Sequence, residues 1–342
     1  MKLLLLWPRP VPGELLSCYL SRSAISRGMS AESLMSLVSP GSPVWTRDVD
    51  VCASPKLVAD VASASRLSEK AIYGMTLHKW VRATSRGAHI QGLHHWITGV
   101  GVYHRSRRRY GLSFCPMCLV TDGGFRKKGR LAFWTVCPLH KVMLQDACPG
   151  CDAPIQAHRQ GFDVTRCCRC GKGLASGGVQ ETVCTSLQGL LFNALVNPED
   201  QIEIGIFQAR GSELLWGLDA MLSAFHASRA ANPGAEREKR ARLELRRVQE
   251  RHRDMQLIEE LCFSGLDALL VRAKSEGVTQ KSFRGAVPNW LTEVVVRLAV
   301  GRGNDAADLN TATIRVVAKA QRRRLEGWRE MRADLLLKMI GR

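Results

Sequence analysis

The 342-residue sequence predicts a mainly α-helical chain in three parts: an N-terminal helix-turn-helix region, a central Cys/His-rich module and a C-terminal helical domain. Three observations predict this. Apolar residues recur at helical spacing toward the N-terminus, the texture from Ala83 to Gly178 changes to Gly, Cys, His and short polar runs, and helical spacing returns after Val183. The parts are residues 1–82, 83–178 and 179–342, each small enough to form around one hydrophobic core.

Pro8, Pro10, Pro12 and Gly13 make an extended lead-in that resists helix. Glu14 to Arg27 carries Leu15, Leu16, Tyr19, Leu20 and Ile25 on one broad face and is stopped by Gly28. Ser30 is suited to N-cap a second helix that buries Leu34, Leu37 and Val38, and the pair fits a helix-turn-helix. Ser54-Pro55 opens a further helix to about Ala64, and Ser68 another that ends near Gly74. After the central module, helices are expected over Ser186–Asn197, stopped by Pro198, and over Ser212–Ala230, with Leu214, Leu215, Leu218, Met221, Leu222 and Phe225 at helical spacing. Ala235–Met255 reads as a charged helix, Pro288–Val300 as a short apolar one and Thr313–Ile340 as a long terminal one.

Twelve cysteines in a chain with no evident export signal point to a reducing cytoplasm, where closely spaced cysteines are metal ligands rather than disulfide partners. Leu3 to Leu6 is ended by Trp7-Pro8 too soon to form a signal-peptide core, and no stretch approaches the length of a membrane span.

The ligands come in four pairs, each with two intervening residues: Cys115-Pro-Met-Cys118, Cys137-Pro-Leu-His140, Cys148-Pro-Gly-Cys151 and Cys167-Cys-Arg-Cys170. At that spacing one tight turn presents both ligands to a single ion while its backbone N–H groups point at the sulfurs. Intervening stretches of 18, 7 and 15 residues favour joining the first pair with the second and the third with the fourth. This gives a tandem zinc-finger module, one site with three cysteines and a histidine and the other with four cysteines, holding two structural Zn2+. A crossed arrangement, first with third and second with fourth, is the alternative. Cys168 is set aside because one residue separates it from Cys170, although it could replace Cys167.

A catalytic zinc keeps a position open for water beside a carboxylate base. Here all eight ligand positions are filled, no His-Glu-x-x-His occurs, and no His is followed two residues later by Glu. There is no phosphate-binding Gly-x4-Gly-Lys-Ser/Thr and no Gly-x-Ser-x-Gly. The expectation is a protein that is not an enzyme, with no catalytic residues and no organic cofactor. His94-His95-Trp96 reads first as packing, and Cys18, Cys52, Cys184 and Cys262 as small buried apolar residues.

A formal charge of +18 favours a polyanionic partner such as nucleic acid. Seven thiolates and two Zn2+ would lower it only to about +15. The excess concentrates between His104 and Lys172, with thirteen Lys and Arg against four Asp and Glu. Arg105, Arg107, Arg108 and Arg109 run into the first ligand turn, and Arg126, Lys127, Lys128 and Arg130 follow it. These eight are the candidate phosphate contacts. Arg322, Arg323 and Arg324 beside Trp328 and Arg329 form a second basic cluster. The helix expected at Ser30–Ser39 carries no Arg, Lys, Asn or Gln to read base edges, which favours a protein-contact or dimer role for it.

Pro10-Val-Pro-Gly-Glu14-Leu-Leu-Ser-Cys-Tyr-Leu-Ser-Arg22, Phe114-Cys-Pro-Met-Cys-Leu119, Ala132-Phe-Trp-Thr-Val-Cys-Pro-Leu-His140 and Leu144-Gln-Asp-Ala-Cys-Pro-Gly-Cys151 together resemble the TniQ family, related to TnsD, of transposon target-selection proteins. The likeness covers roughly the first half. Where that family commonly has an aromatic-rich segment, this chain has Gly124-Phe-Arg-Lys-Lys-Gly-Arg130. The resemblance implies a non-enzymatic adaptor, commonly a homodimer, that recruits a TnsC/TniB-like AAA+ ATPase and through it the transposase. Family members dock on a CRISPR Cascade-type effector or read attachment-site DNA. The shortness of the chain and a second helix with no basic residue favour the effector-docked type. The competing expectation is a self-sufficient, zinc-dependent, sequence-specific DNA-binding protein or regulator.

Overall fold

The computed structural model describes residues 7–84, 93–159, 163–182, 186–229 and 242–300. Leu3 to Leu6, Cys184, the Arg322 cluster and the helix expected at Thr313–Ile340 lie outside the described residues. The chain divides into two compact units, one made of residues 1–219 and 237–265, the other of 220–236 and 266–342.

The first unit opens with α1 (Leu16–Ile25) and α2 (Ala31–Val38). Gly28, in the left-handed region at φ 64°, turns the chain between them. The Ser30 hydroxyl then accepts the backbone N–H of Ser33 at 3.0 Å and caps α2. Next come α3 (Val49–Cys52), α4 (Pro55–Ser65), α5 (Glu69–Gly74) and α6 (His78–Thr84). Ser54 and Ser68 cap α4 and α5 as their positions ahead of apolar runs predict. These helices enclose one apolar core that includes Leu16, Tyr19, Leu20, Leu34, Trp45, Leu57, Val61 and Ile72. Leu37, expected inside, is 68% exposed.

The central segment is made of ribbons and turns. An antiparallel pair, β1 (Val102–Tyr103) and β2 (Ser106–Arg107), is closed by His104 and Arg105, both at positive φ. This is the two-residue hairpin turn that suits twisted strands. A short α7 (Pro116–Asp122) follows, then β3 (Val136–Cys137) paired with β4 (Val142–Met143). Beyond them stand α8 (Ser186–Val196), the hairpin β5 (Gln201–Ile204) and β6 (Phe207–Arg210), the start of α9 (Gly211–Arg229), and α10 (Val248–Phe263).

The expected helix over Ala235–Met255 is corrected in its described part. Residues 242–247 are not α-helical, and α10 begins at Val248. Two carboxylates set that start: Glu250 accepts the Arg247 N–H at 2.8 Å and Asp146 accepts the Val248 N–H at 2.7 Å.

The second unit contains α11 (Leu266–Ser275) and α12 (Asn289–Arg297), the latter entered through Pro288. Glu276 receives both Arg229 and Arg272, and its backbone carbonyl accepts the Ser228 hydroxyl at 2.6 Å. Among the described residues, no helix is long and apolar enough to cross a membrane.

Candidate metal centres

Cys115 is the residue from which α7 starts, and its sulfur accepts the Cys118 N–H at 3.5 Å. Cys137 ends β3, and the turn into β4 returns His140 toward it. The Nδ1 atom of His140 lies 3.4, 3.3 and 3.5 Å from the sulfurs of Cys115, Cys118 and Cys137. Cys118 and Cys137 have their sulfurs 3.6 Å apart. A tetrahedral zinc with ordinary Zn–S and Zn–N bonds requires about 3.8 Å between sulfurs and about 3.6 Å between sulfur and nitrogen. A disulfide would require about 2 Å. The donor set and spacing therefore fit one four-coordinate ion.

The second cluster repeats the arrangement with four cysteines. Sulfur–sulfur distances are 3.6 Å for Cys148–Cys170 and 3.7 Å for Cys151–Cys167. The Gly150 and Arg169 N–H groups each point at a sulfur at 3.3 Å. The first pair thus joins the second and the third joins the fourth, and both clusters can hold a metal ion. Cys167 belongs to the second cluster, while Cys168 is exposed and outside it.

The N-terminal segment is built onto the first cluster. The Leu15 N–H donates to Phe125 at 3.0 Å and the Lys127 N–H to Gly13 at 2.7 Å, so Gly13 to Leu15 runs antiparallel to Phe125 to Lys127. Glu14 is buried and holds the Val11 N–H and the Arg22 guanidinium, at 2.9 and 2.8 Å. The sulfur of Cys18 accepts the Phe125 N–H at 3.2 Å. The sequence model of the TniQ family matches residues 5–144, which span both sides of this pairing and the whole first cluster. Residues 5–144 of this chain are thus similar to the TniQ family. No curated protein matches the sequence. The TniQ match points to a role in selecting the target of transposition. The second cluster begins at Cys148, beyond the TniQ match.

The eight basic candidates separate into two kinds within and beside the TniQ segment. Arg107 and Arg130 are buried, with 3% and 0% exposure, and face inward. Arg130 bonds Asp48 at 2.6 Å and the Thr98 carbonyl at 2.7 Å, and lies 3.4 Å from Asp50. Arg107 lies 3.9 Å from Asp50. Asp50 also accepts the N–H and hydroxyl of Ser17, each at 2.8 Å. Burial depresses the Arg107 guanidinium and raises the Asp50 carboxyl, which Asp48 raises further. Burial alone would raise Asp48 too, but Arg130 outweighs it and holds that carboxyl low. These two arginines therefore clamp α1 and α3 to the central segment, a use their basic runs conceal, and they are not surface contacts for phosphate.

The other six are placed differently. Arg105 sits at the tip of the β1–β2 hairpin, and Arg108 stacks over Tyr103 at 4.0 Å. Arg109 packs its aliphatic stem against Gly101. Arg126 bonds Pro12 and Asp122. Lys127 donates to the Gly74 carbonyl and lies 4.8 Å above the Trp80 ring. Lys128 lies 4.3 Å from both Trp134 and Phe192.

Sequence reading missed the polar ties that close the first unit. Arg251, fully buried, donates to the carbonyls of Leu131 and Ala132 at 3.2 and 3.0 Å and to the Ser113 hydroxyl at 2.7 Å. Burial lowers its pKa to about 10. Trp96 is buried, its indole N–H bonded to the Leu215 carbonyl at 3.0 Å and its backbone N–H to Glu244 at 2.9 Å. His94 and Trp96 are packed inside, as expected, whereas His95 is partly exposed and its Nδ1 lies 3.0 Å from Asp219. Cys18 and Cys262 are buried.

Proposed function

We propose that this protein is a target-site selection adaptor that links a DNA-targeting complex, of CRISPR Cascade type, to a TnsC/TniB-like AAA+ ATPase and the transposase. The observation that carries the docked reading over direct DNA reading is the surface of α2. Its exposed residues are Ser33, Ser36 and Leu37, with Glu32 and Val38 half-covered. None of these offers the bidentate donors that distinguish base pairs, and Glu32 opposes phosphate. An exposed Leu on a helix with no readout residues suits a protein contact, and we assign it to the effector or to a second copy of the chain in a homodimer.

In this reading residues 83–178 act as a rigid centre whose two clusters hold structural Zn2+: Cys115, Cys118, Cys137 and His140, then Cys148, Cys151, Cys167 and Cys170. A thiolate-rich, fully filled, tetrahedral set supports zinc in a structural role. Arg105, Arg108 and Arg109 would contact nucleic-acid backbone next to the target, independent of sequence.

The test is reconstitution. Co-expression with a Cascade-type effector, a TnsC/TniB-like ATPase and the transposase should give a co-purifying assembly and guided insertion, lost when the protein is omitted. Tight, sequence-specific binding of purified protein alone to labelled DNA would overturn the adaptor reading in favour of a self-sufficient DNA reader.

A further inference from the structure

Beside the first metal cluster lies a cleft of about 540 Å3 whose lining is mostly apolar. Trp80 of α6, Trp134 and Phe192 of α8 form its aromatic side, with Phe192 set edge-on to both tryptophans at 5.8 and 5.5 Å. Lys127 and Lys128 stand over these rings. Leu139, in the turn between Cys137 and His140, lines the cleft and is 79% exposed. Val120 and Met117 on α7 are exposed beside the same cluster. A metal-fixed turn thus presents a large aliphatic side chain to solvent at the mouth of an apolar cleft, which marks an interaction surface.

The occupant follows from what is satisfied and what is not. The Lys128 ammonium makes no hydrogen bond or ion pair with any described residue, although it is half-buried against two rings. Arg126, by contrast, already has Asp122. An added carboxylate at Lys128 would find an unpaired cation in a partly desolvated place, where a charge-assisted bond is strong. A nucleobase fits less well. The ring faces are covered by the ammonium groups, and the three rings meet edge to face, leaving no flat-sided slot for stacking.

We propose that this cleft is a docking site for a short partner-protein segment that carries an aliphatic side chain beside a carboxylate. The aliphatic group enters between Trp134, Phe192 and Leu139, and the carboxylate pairs with Lys128. The site rests on the adaptor reading only in assigning that segment to a partner protein.

The test uses the full, zinc-loaded chain and a phage-displayed library of random dodecapeptides, counter-selected on Lys128→Glu. Enriched peptides should pair Asp or Glu with Leu, Ile, Val or Met. Synthesised with a fluorophore, they should bind at least about tenfold more weakly to Lys128→Glu and to Leu139→Ser, and weaken with added salt. Both variants should keep their metal content and unfolding midpoint, since both side chains reach solvent. No enrichment, peptides lacking the acidic–aliphatic pair, equal binding to the variants, or displacement of the peptide by a labelled oligothymidylate at lower concentration would each overturn the proposal. The assay contains neither effector nor ATPase, so failure of the reconstitution with intact peptide binding would sink the adaptor reading alone.

Discussion

Asp50 accepts two bonds from Ser17 and faces two guanidinium groups while fully buried. Removing it leaves Arg107 and Arg130 with Asp48 as their only carboxylate among the described residues. Asp50→Ala should therefore destabilise the chain by about 3–5 kcal/mol, since an uncompensated buried charge costs more than the pair contributes. Denaturant unfolding of the variant against the parent measures this, and a loss under about 1 kcal/mol would show that water reaches the site. His158 is a second residue with a measurable role. It stacks on Trp45 at 4.9 Å and hydrogen-bonds the Arg105 carbonyl at 2.7 Å. Burial, then the Arg107 charge, lowers its pKa to about 4. A histidine held neutral in the fold but protonated when unfolded contributes stability that is complete above about pH 6.5 and is lost as pH falls toward 4. His158→Phe keeps the stack and cannot titrate. The stability difference between parent and variant should shift across that window and level off below it; a flat difference would refute the assignment.

At the scale of the element, the turn at Lys127–Arg130 packs its backbone against the residues that lead into the first ligand turn. A Cβ on Gly129 would stand 1.9 Å from the Ser113 carbonyl oxygen, in a contact where Ser113 N–H bonds Gly129 at 2.9 Å. Backbone cannot yield as a side-chain tip can, so Gly129→Ala should cost about 3 kcal/mol or more and lower the thermal midpoint. The metal turns make a sharper prediction. Cys137→Ser and Cys167→Ser should each remove one zinc per chain by elemental analysis, with the local fold lost alongside, whereas Cys168→Ser should leave two. Retention of both metals in Cys137→Ser would refute the ligand set.

These elements show what was legible in the sequence. Serine caps at 30, 54 and 68 and the two-residue ligand spacing are local signals, because the groups they satisfy lie within four residues. Arg107 and Arg130 looked like their neighbours because their partners, Asp48 and Asp50, lie more than fifty residues away and become neighbours only on folding. The alternation Asp48-Val49-Asp50-Val51, with its two carboxylates among apolar residues, was the one local hint. The start of α10 was misread for the same reason, since Asp146, about a hundred residues upstream, helps to set it.

For the whole molecule, the charged clamp crosses residue 82, where the sequence texture changes. A fragment beginning at residue 83 would retain Arg107 and Arg130 without Asp48, Asp50 or Ser17. It should bind zinc yet fail to give a cooperative unfolding transition, checked by calorimetry against the full chain; a sharp transition would mean the central segment stands alone. The remaining net charge should act at longer range. Binding to non-specific duplex DNA should fall steeply between low and physiological salt, and Arg105→Ala with Arg108→Ala should reduce the slope by about one to two. An unchanged slope would place the contact elsewhere.

Arg251 closes over the carbonyls of Leu131 and Ala132 from 119 and more positions later in the chain, and Glu244 reaches the Trp96 N–H across 148. On the ribosome those carbonyls and that amide emerge long before their partners. Metal capture at the two clusters can come early, because each cluster is assembled from fewer than thirty consecutive residues. The ties that Arg251 makes to Leu131, Ala132 and Ser113 can form only after residue 251 has left the exit tunnel, so the core around the first cluster closes last.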